Sequence, residues 1–341
     1  MASIERTAYP RFPRTLTLKD LQASFTPRPE EIEWAQQHSR TTERRLAILV
    51  LLKCFEFLRH FPALDAIPAE VIEHVSATLG IAPTDKIEFA SLATLYRHHK
   101  AIRELLGVKP YTDGQTRTLA IQIAQQVASV VETRVDIINI TIEELVRLGY
   151  ELPVFRTLDE ISEQAHSAAE AALNERINQR LSSAQRTWLD RLLEAELPAR
   201  RTLYNQIKKS AKKASRKHLD LLLDQLTWLE SLPDSDALLD GVPLTKLNYM
   251  AGMAAALDAG DMKDLLPAKR YTLILALIRQ MRVKARADVA EMFIRRIGAI
   301  HKTAREELQV IQARQRELSE ELVATLEQVL EILAENLDDA S

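Results

Sequence analysis

The chain has little cysteine and no long apolar run, and each shortage excludes a class of protein. Cys54 is the one cysteine among 341 residues, which excludes a disulfide framework within a monomer and a zinc site built from several cysteines. The longest apolar run, Leu46 to Leu52, is far shorter than the roughly 20 residues of a membrane-spanning helix. Residues 1–14 have no apolar signal region. We therefore expect a protein of a reducing bacterial cytoplasm with no membrane partner, and a buried Cys54.

Scarce glycine and the dominant residue types favour helices. Only 8 glycines occur, whereas Ala, Leu, Glu, Arg and Ile are abundant, and a hydrophobic content of 46% is enough for real cores. The β-branched stretch from Val130 to Ile140 has strand character, but no second stretch exists to pair with it, so we interpret it as helix. The expected fold class is all-α, with two or three tandem helical bundles.

Proline, glycine and capping patterns predict four segments. The patterns Thr141–Glu144 and Thr157–Glu160 predict capping boxes at two helix starts, and Ser182/Ser183 predict a third cap. In the C-terminal part of the chain, helices are expected over 267–282 and 286–336. Boundaries are expected at Pro153 and in the Pro- and Asp-containing stretch after Pro233. The resulting segments are an arm with one short turn, two helical modules and a third helical segment, over 1–28, 29–152, 153–236 and 237–341.

Charge is distributed unevenly along the chain. The formal net charge is −3, but the residues from Glu317 onward include eight acids and no Lys or Arg. Residues 1–316 therefore carry a net charge of +5. The arm at 1–28 is basic, and both a disordered tail and an arm that follows nucleic-acid phosphates fit it.

The densest basic run extends from Arg200 to Lys217, and no acid interrupts it. Its layout predicts a helix, a turn and a second helix, with Ser215 as the N-cap of the second. Cations in the first turn of a helix are disfavoured by the helix dipole unless an anion is bound there. We expect this run to contact DNA phosphates, although a solvated charge run is the alternative. The candidate residues are Arg200, Arg201, Lys208, Lys209, Lys212, Lys213, Arg216 and Lys217.

A second basic group lies in the first helical module. On a helix, Arg97, Lys100 and Arg103 recur at a spacing that places them on roughly one face. The candidate residues of this group are Arg40, Arg44, Arg45, Arg97, Lys100 and Arg103. Tyr96 is expected in the core. His98 and His99 are adjacent on a helix and have no Cys or Asp partner at ligand spacing, so we expect no metal site.

The order of several short blocks resembles the N-terminal region of the Tn-three family transposases, the class II enzymes that move DNA through cointegrates. The blocks are FTPRPEEIEWAQQHSRTTERRLAILVLLKCFEFLRHFPALDAIPAEVIEHVSATLGI and YRHHKAIRELLGVKPY, followed more weakly by YELPVFRTLDEI, SSAQRTWLDRLL and PAKRYTLILALI. The resemblance implies helix-turn-helix-like modules that recognise the inverted repeats at transposon ends, in a nucleoid-associated protein. It also implies that the catalytic carboxylate domain is absent, so no enzyme activity, catalytic residue or cofactor is expected.

Two other readings stay open. The chain is also compatible with a helical protein–protein module, or with a truncated remnant that pairs with or inhibits a full-length transposase. A full-length transposase and a self-dimer are the alternatives for a protein partner. Apolar residues recur at steps of mostly three and four along 285–337. Such a stripe packs either on its own domain or against a partner.

Overall fold

The computed structural model describes residues 3–82, 87, 89, 91–196, 201–208 and 216–338. Within them it confirms the all-α class: fifteen α-helices are joined by short turns, and the one sheet is a pair of two-residue strands. None of the helices in this part of the chain combines the length and apolarity needed to cross a membrane. The chain divides into two compact units, residues 1–179 with 241–249 and residues 180–240 with 250–341.

The first unit contains the helices α1 to α8. A short 3₁₀ turn, Ile4–Arg6, precedes them and another, Leu64–Ala66, follows α3. The helices are α1 (Leu18–Ser24), α2 (Pro29–His38), α3 (Thr42–Leu58), α4 (Ala69–Thr78), α5 (Leu92–Leu106), α6 (Gln115–Ala128), α7 (Arg134–Arg147) and α8 (Phe155–Arg180).

Helix α3 is the centre of the first core of this unit. Its side chains from Leu46 to Phe55 are all buried, and α1, α2, α4 and α5 pack around it. One of these side chains is Lys53, whose ammonium lies 3.1 Å from Glu31 and 2.5 Å from Glu56, so the buried charge is neutralised. Cys54 is fully buried, as expected.

The second core of the unit is formed by α6, α7 and α8. Tyr9 joins it from the N-terminal segment, and its hydroxyl donates a 2.9 Å hydrogen bond to the carbonyl of Pro153. Phe25 is likewise fully buried, but in the first core. Residues 1–28 therefore supply an anchor to each core. The expected boundary at Pro153 lies inside the unit, because Leu152 and Leu158 share one core with α6 and α7.

The helix starts follow local capping chemistry, with two corrections. Ser182 accepts from the Gln185 N–H in a complete capping box, as expected. Thr141, expected as a cap, is instead buried inside α7 and donates a 2.7 Å hydrogen bond to the Ile137 carbonyl. The cap of α7 is Thr133, which accepts from the Asp136 N–H. The β-branched stretch 130–140 is therefore helical from Arg134 onward, and residues 130–133 connect α6 to α7. Thr157, the other expected cap, lies within the first turn of α8.

The second unit contains the remaining elements. Helix α13 starts in the first unit and ends in the second. The strands pair antiparallel, with Ala195 opposite Thr202. The elements are α9 (Ser183–Arg191), β1 (Ala195–Glu196), β2 (Arg201–Thr202), α10 (Leu203–Ile207), α11 (Arg216–Ser231), α12 (Ser235–Leu238), α13 (Leu244–Ala256), α14 (Ala259–Asp264) and α15 (Pro267–Asp338).

Helix α15 is continuous over 72 residues, so the expected break between 282 and 286 is wrong. Arg282 explains the continuity. Its guanidinium is buried and donates to the carbonyls of Leu229 and Leu232 at 2.8 and 2.7 Å, at the C-terminal end of α11. This contact holds α15 against the end of α11 at the place of the expected break, and a cation at a helix C-terminus is also favoured by the dipole.

Candidate nucleic-acid interface

Three helices of the first unit bring basic side chains together around His98. His38 lies in the last turn of α2, Arg44 in the first turn of α3, and Arg97 precedes His98 on α5. The charges of Arg97, Arg44 and His38 all act on the His98 imidazole. We call these four residues the His98 cluster. Packing of α2, α3 and α5 on the first core therefore brings His98 near Arg44 and His38, which lie 54 and 60 residues away in the sequence.

His98 is a buried imidazole that lies near several positive charges. Its side chain is only 7% exposed, and its ring lies 5.7 Å from that of Phe89. Burial lowers the pKa of His98, and the positive charges of Arg97, Arg44 and His38 lower it further. Both effects favour the neutral imidazole, and burial is the larger of the two. A polyanion placed at the cluster meets the positive charges of Arg44 and Arg97.

The arginines of the cluster keep their charges available. Arg44 and Arg97 are exposed, as is Arg40 in the α2–α3 connection, and among the described residues none of the three has an ion-pair partner. Arg97 donates to the Thr94 hydroxyl at 3.1 Å, which holds its guanidinium against α5. Arg44 lies at a helix N-terminus, where the dipole disfavours a cation unless an anion is bound. Glu43, exposed in the same turn, supplies part of that negative charge.

On α5, the ring that faces the core is not the one expected from the sequence. Tyr96, expected in the core, is 64% exposed. The inward position belongs to His99, whose ring stacks on Phe61 with centroids 3.7 Å apart. Burial and the nearby Arg103 lower the pKa of His99 to about 4. Lys100 is exposed and meets only Glu104 on the same helix, at 3.8 Å.

Two arginines of the first basic group, Arg45 and Arg103, pack against the protein and are partly buried. Arg103 forms an ion pair with Glu151 at 2.9 Å and lies over the Phe61 ring at 5.6 Å. Arg45 is half-buried, and its Nε has no hydrogen-bond partner among the described residues. The structure therefore leaves Arg40, Arg44, Arg97 and Lys100 exposed, with the charges of Arg44 and Arg97 both acting on His98. It places Arg45 and Arg103 against the protein.

The second basic group is described only in part. Arg200, Lys209, Lys212 and Lys213 lie outside the described residues. The backbones of Arg201, in β2, and of Arg216 and Lys217, at the start of α11, are described but their side chains are not. The expected helix-turn-helix arrangement of 200–217 therefore stays a prediction.

Lys208 is the one candidate of this group whose side chain is described. Its ammonium donates to the carbonyl of Leu257, just beyond the C-terminus of α13, and lies 4.2 Å above the Tyr204 ring. Burial lowers the pKa of Lys208, with Asp258 acting in the opposite direction. Tyr204 is itself fully buried and donates to the Ala254 carbonyl. Lys208 is thus held by protein groups.

A buried polar group of the first unit was missed by sequence reasoning. Glu132 lies 3.2 Å from the ammonium of Lys246 and 3.7 Å from His166. Burial alone raises the pKa of Glu132, but the His166 hydrogen bond and the Lys246 charge outweigh it and lower the pKa. The same hydrogen bond raises the pKa of His166. The three residues are far apart in sequence, and no local pattern marks them.

Comparison with known protein families matches part of the chain. Residues 1–165 match the family described as Domain of unknown function (DUF4158), which is just under half of the 341 residues. The matched part includes α1 to α7 and the His98 cluster, and it ends before the basic run at 200–217. The comparison with curated proteins found no match.

Proposed function

We propose that the chain binds duplex DNA through the His98 cluster and its neighbours Arg40 and Lys100, as the N-terminal portion of a Tn-three type transposase that recognises terminal inverted repeats. The observation that carries the proposal is that exposed Arg44 and Arg97, on two different helices, both lie close enough to buried His98 for their charges to act on it. The matched family is commonly found in Tn-three family transposases, which supports DNA as the partner.

In this proposal phosphate contact supplies most of the affinity. Arg44 and Arg97 have no competing carboxylate among the described residues, so binding a phosphate breaks no ion pair there. The N-terminal N–H groups of α3 point at the same anion. Each phosphate neutralised releases counterions, which makes the affinity fall with rising salt. Exposed Tyr96 lies one residue before Arg97 and offers an aromatic surface to sugar or base.

The basic run 200–217 is proposed as a second phosphate contact. Five residues, Lys209, Lys212, Lys213, Arg216 and Lys217, are proposed to touch phosphates rather than bases. Lys208, the sixth candidate from the sequence, is left out because its ammonium already donates to Leu257. The chain alone is proposed neither to cut nor to join DNA, because strand transfer by the resembled family needs a carboxylate set held on a separate catalytic domain.

A mobility-shift experiment tests the proposal. The 341-residue chain is titrated against a duplex that carries a class II transposon end and against a scrambled duplex of the same length. We expect binding of both at about 100 mM salt, a preference for the transposon end, and a steep loss of affinity as salt rises. Affinity that ignores salt, or no complex with any duplex at micromolar protein, contradicts the proposal.

A second function is favoured by one observation, the exposed apolar side chains along α15. They support a helical protein–protein module that pairs with a full-length transposase and inhibits it. Co-purification of the two proteins without DNA, together with reduced transposition, is the expected result for that function.

A further inference from the structure

The part of α15 from Phe293 onward carries an apolar stripe that nothing in the described chain covers. Every described side chain from 293 to 332 is exposed, including large apolar ones at steps of three, four, seven or eight residues. Ala304 and Gln315 occupy the two longer gaps, so a single stripe runs along the helix. Its exposed members are Phe293, Ile297, Ile300, Leu308, Ile311, Leu318, Leu322, Leu326 and Val329. A contiguous apolar surface of this length marks a contact site.

The charge distribution along α15 indicates which partner covers the stripe and whether the two helices run parallel or antiparallel. Residues 293–316 contain six Lys or Arg and two Glu, whereas 317–338 contain seven acids and no Lys or Arg. A parallel pair of these helices faces acid against acid over the whole second half. An antiparallel pair faces the basic half of each helix with the acidic half of the other, so both halves attract.

The spacing of the stripe is compatible with the same arrangement. Reflection about Gln315 carries positions 293, 297, 304 and 308 onto 337, 333, 326 and 322. Leu308 of one helix is then opposite Leu322 of the other. Apolar positions thus coincide with apolar positions at these four places, whereas Ile311, Leu318 and Val329 fall opposite Ser319, Gln312 and His301. The reversed stripe is therefore self-complementary in part, and self-complementarity is the property that a two-fold symmetric contact requires.

We propose that two copies of this chain associate through residues 293–338 of α15 as an antiparallel helical pair centred near Gln315. The paired segment is about 69 Å long at 1.5 Å per residue. The end of each helix then reaches the other copy at Phe293, beside an open apolar groove of about 450 Å³ lined by Leu219, Leu223, Leu226 and Val289. The association does not depend on DNA binding.

Light scattering of the full chain without DNA gives the first test. We expect a dimer at micromolar concentration. Leu308→Asp places a charge in the stripe of both copies and should raise the dimer dissociation constant by about a hundredfold or more. Val310→Asp is the matched control, since Val310 is 69% exposed but points about 200° away from Leu308 around the helix. A monomeric wild-type chain, or equal effects of the two variants, overturns the proposal.

Disulfide trapping tests the direction. In the antiparallel pair the two copies of position 322 are about 21 Å apart, too far for a disulfide. Leu308→Cys and Leu322→Cys should therefore form no cross-link alone and a heterodimeric cross-link when mixed. Buried Cys54 stays out of the reaction, and the unsubstituted chain is the control for it. A cross-link of Leu322→Cys with itself indicates a parallel pair and overturns the proposal, as does a mixture that yields none.

Discussion

Arg103 and Glu151 form an ion pair of 2.9 Å that ties α5 to the segment after α7. Their side chains are 21% and 14% exposed. Burial raises the pKa of Glu151, and the charge and hydrogen bond of Arg103 lower it only in part. The pair therefore compensates two charges that packing has removed from water, and Phe61 lies under the guanidinium.

Substitution of Arg103 should lower stability more than it changes DNA binding. Arg103→Met leaves the Glu151 carboxylate half-buried without its cation, so the free energy of unfolding should fall by about 1–3 kcal/mol. Arg97→Met, on the exposed face of the same helix, should stay within about 0.5 kcal/mol of wild type. Urea unfolding compares the two. Equal stabilities for the two variants contradict this assignment.

Arg282 should be among the most costly residues to change in the second unit. It is 6% exposed and donates to three carbonyls and the Ser235 hydroxyl. Arg282→Met leaves those acceptors unsatisfied and should cost about 2–4 kcal/mol. The control is Arg279→Met, which loses a partly exposed pair with Asp236 and should cost about 0–1 kcal/mol. Thermal unfolding at matched protein concentrations measures the loss of stability in both variants. If Arg282→Met loses less stability than Arg279→Met, Arg282 does not anchor α15.

Lys208 should act on stability rather than on the salt dependence of DNA binding. Lys208→Met removes the donor to the Leu257 carbonyl, and we expect a loss of about 1–2 kcal/mol in the free energy of unfolding. Lys284→Met, at an exposed position of α15, is the control and should be nearly neutral. If Lys208→Met instead keeps full stability and makes the salt dependence shallower, then Lys208 contacts phosphate.

The buried group of Glu132, His166 and Lys246 should make stability depend on pH. The Glu132 hydrogen bond raises the folded-state pKa of His166, against the effect of burial. The stabilising contribution of protonated His166 is therefore complete below its ordinary pKa of about 6.5 and is lost as pH rises through the raised value.

Melting temperatures measured between pH 5.5 and 8 test this. The difference between wild type and His166→Gln should be largest at the acidic end and shrink toward pH 8. His301→Gln, which removes an exposed imidazole of α15, should show no such trend. A difference that grows with pH contradicts the sign of the shift.

Local signals predicted most of the helices. Pro29, the glycines after α4, α5 and α7, and Ser182 all act within a few residues, so their effect is visible in the sequence. The failures at Thr141 and near Arg282 have a common cause. Each position has a local pattern that suggests a helix start or a break, but burial in a tertiary contact decides the outcome.

The contacts of the candidate site could not be predicted from local sequence patterns either. The sequence indicated which residues were basic, but not that Arg103 pairs with Glu151 or that Lys208 donates to Leu257, because the partners lie 48 and 49 residues away. Tyr96, expected in the core, is exposed and His99 turns inward, because the His99 ring stacks on Phe61, which lies 38 residues earlier in the sequence. Long-range partners of this kind leave no pattern in a single sequence.

The proposed phosphate contacts of Arg44 and Arg97 are tested most directly by the slope of log affinity against log salt concentration for duplex DNA. The slope is measured with the wild-type chain and with the Arg44→Ala/Arg97→Ala double variant. We predict weaker binding to transposon-end and scrambled duplexes alike and a slope shallower by about 1.8, since each lost phosphate contact removes about 0.9. Arg156→Ala, an exposed arginine paired with Glu160 outside the cluster, should leave the slope unchanged. A double variant with wild-type affinity and slope would contradict the account.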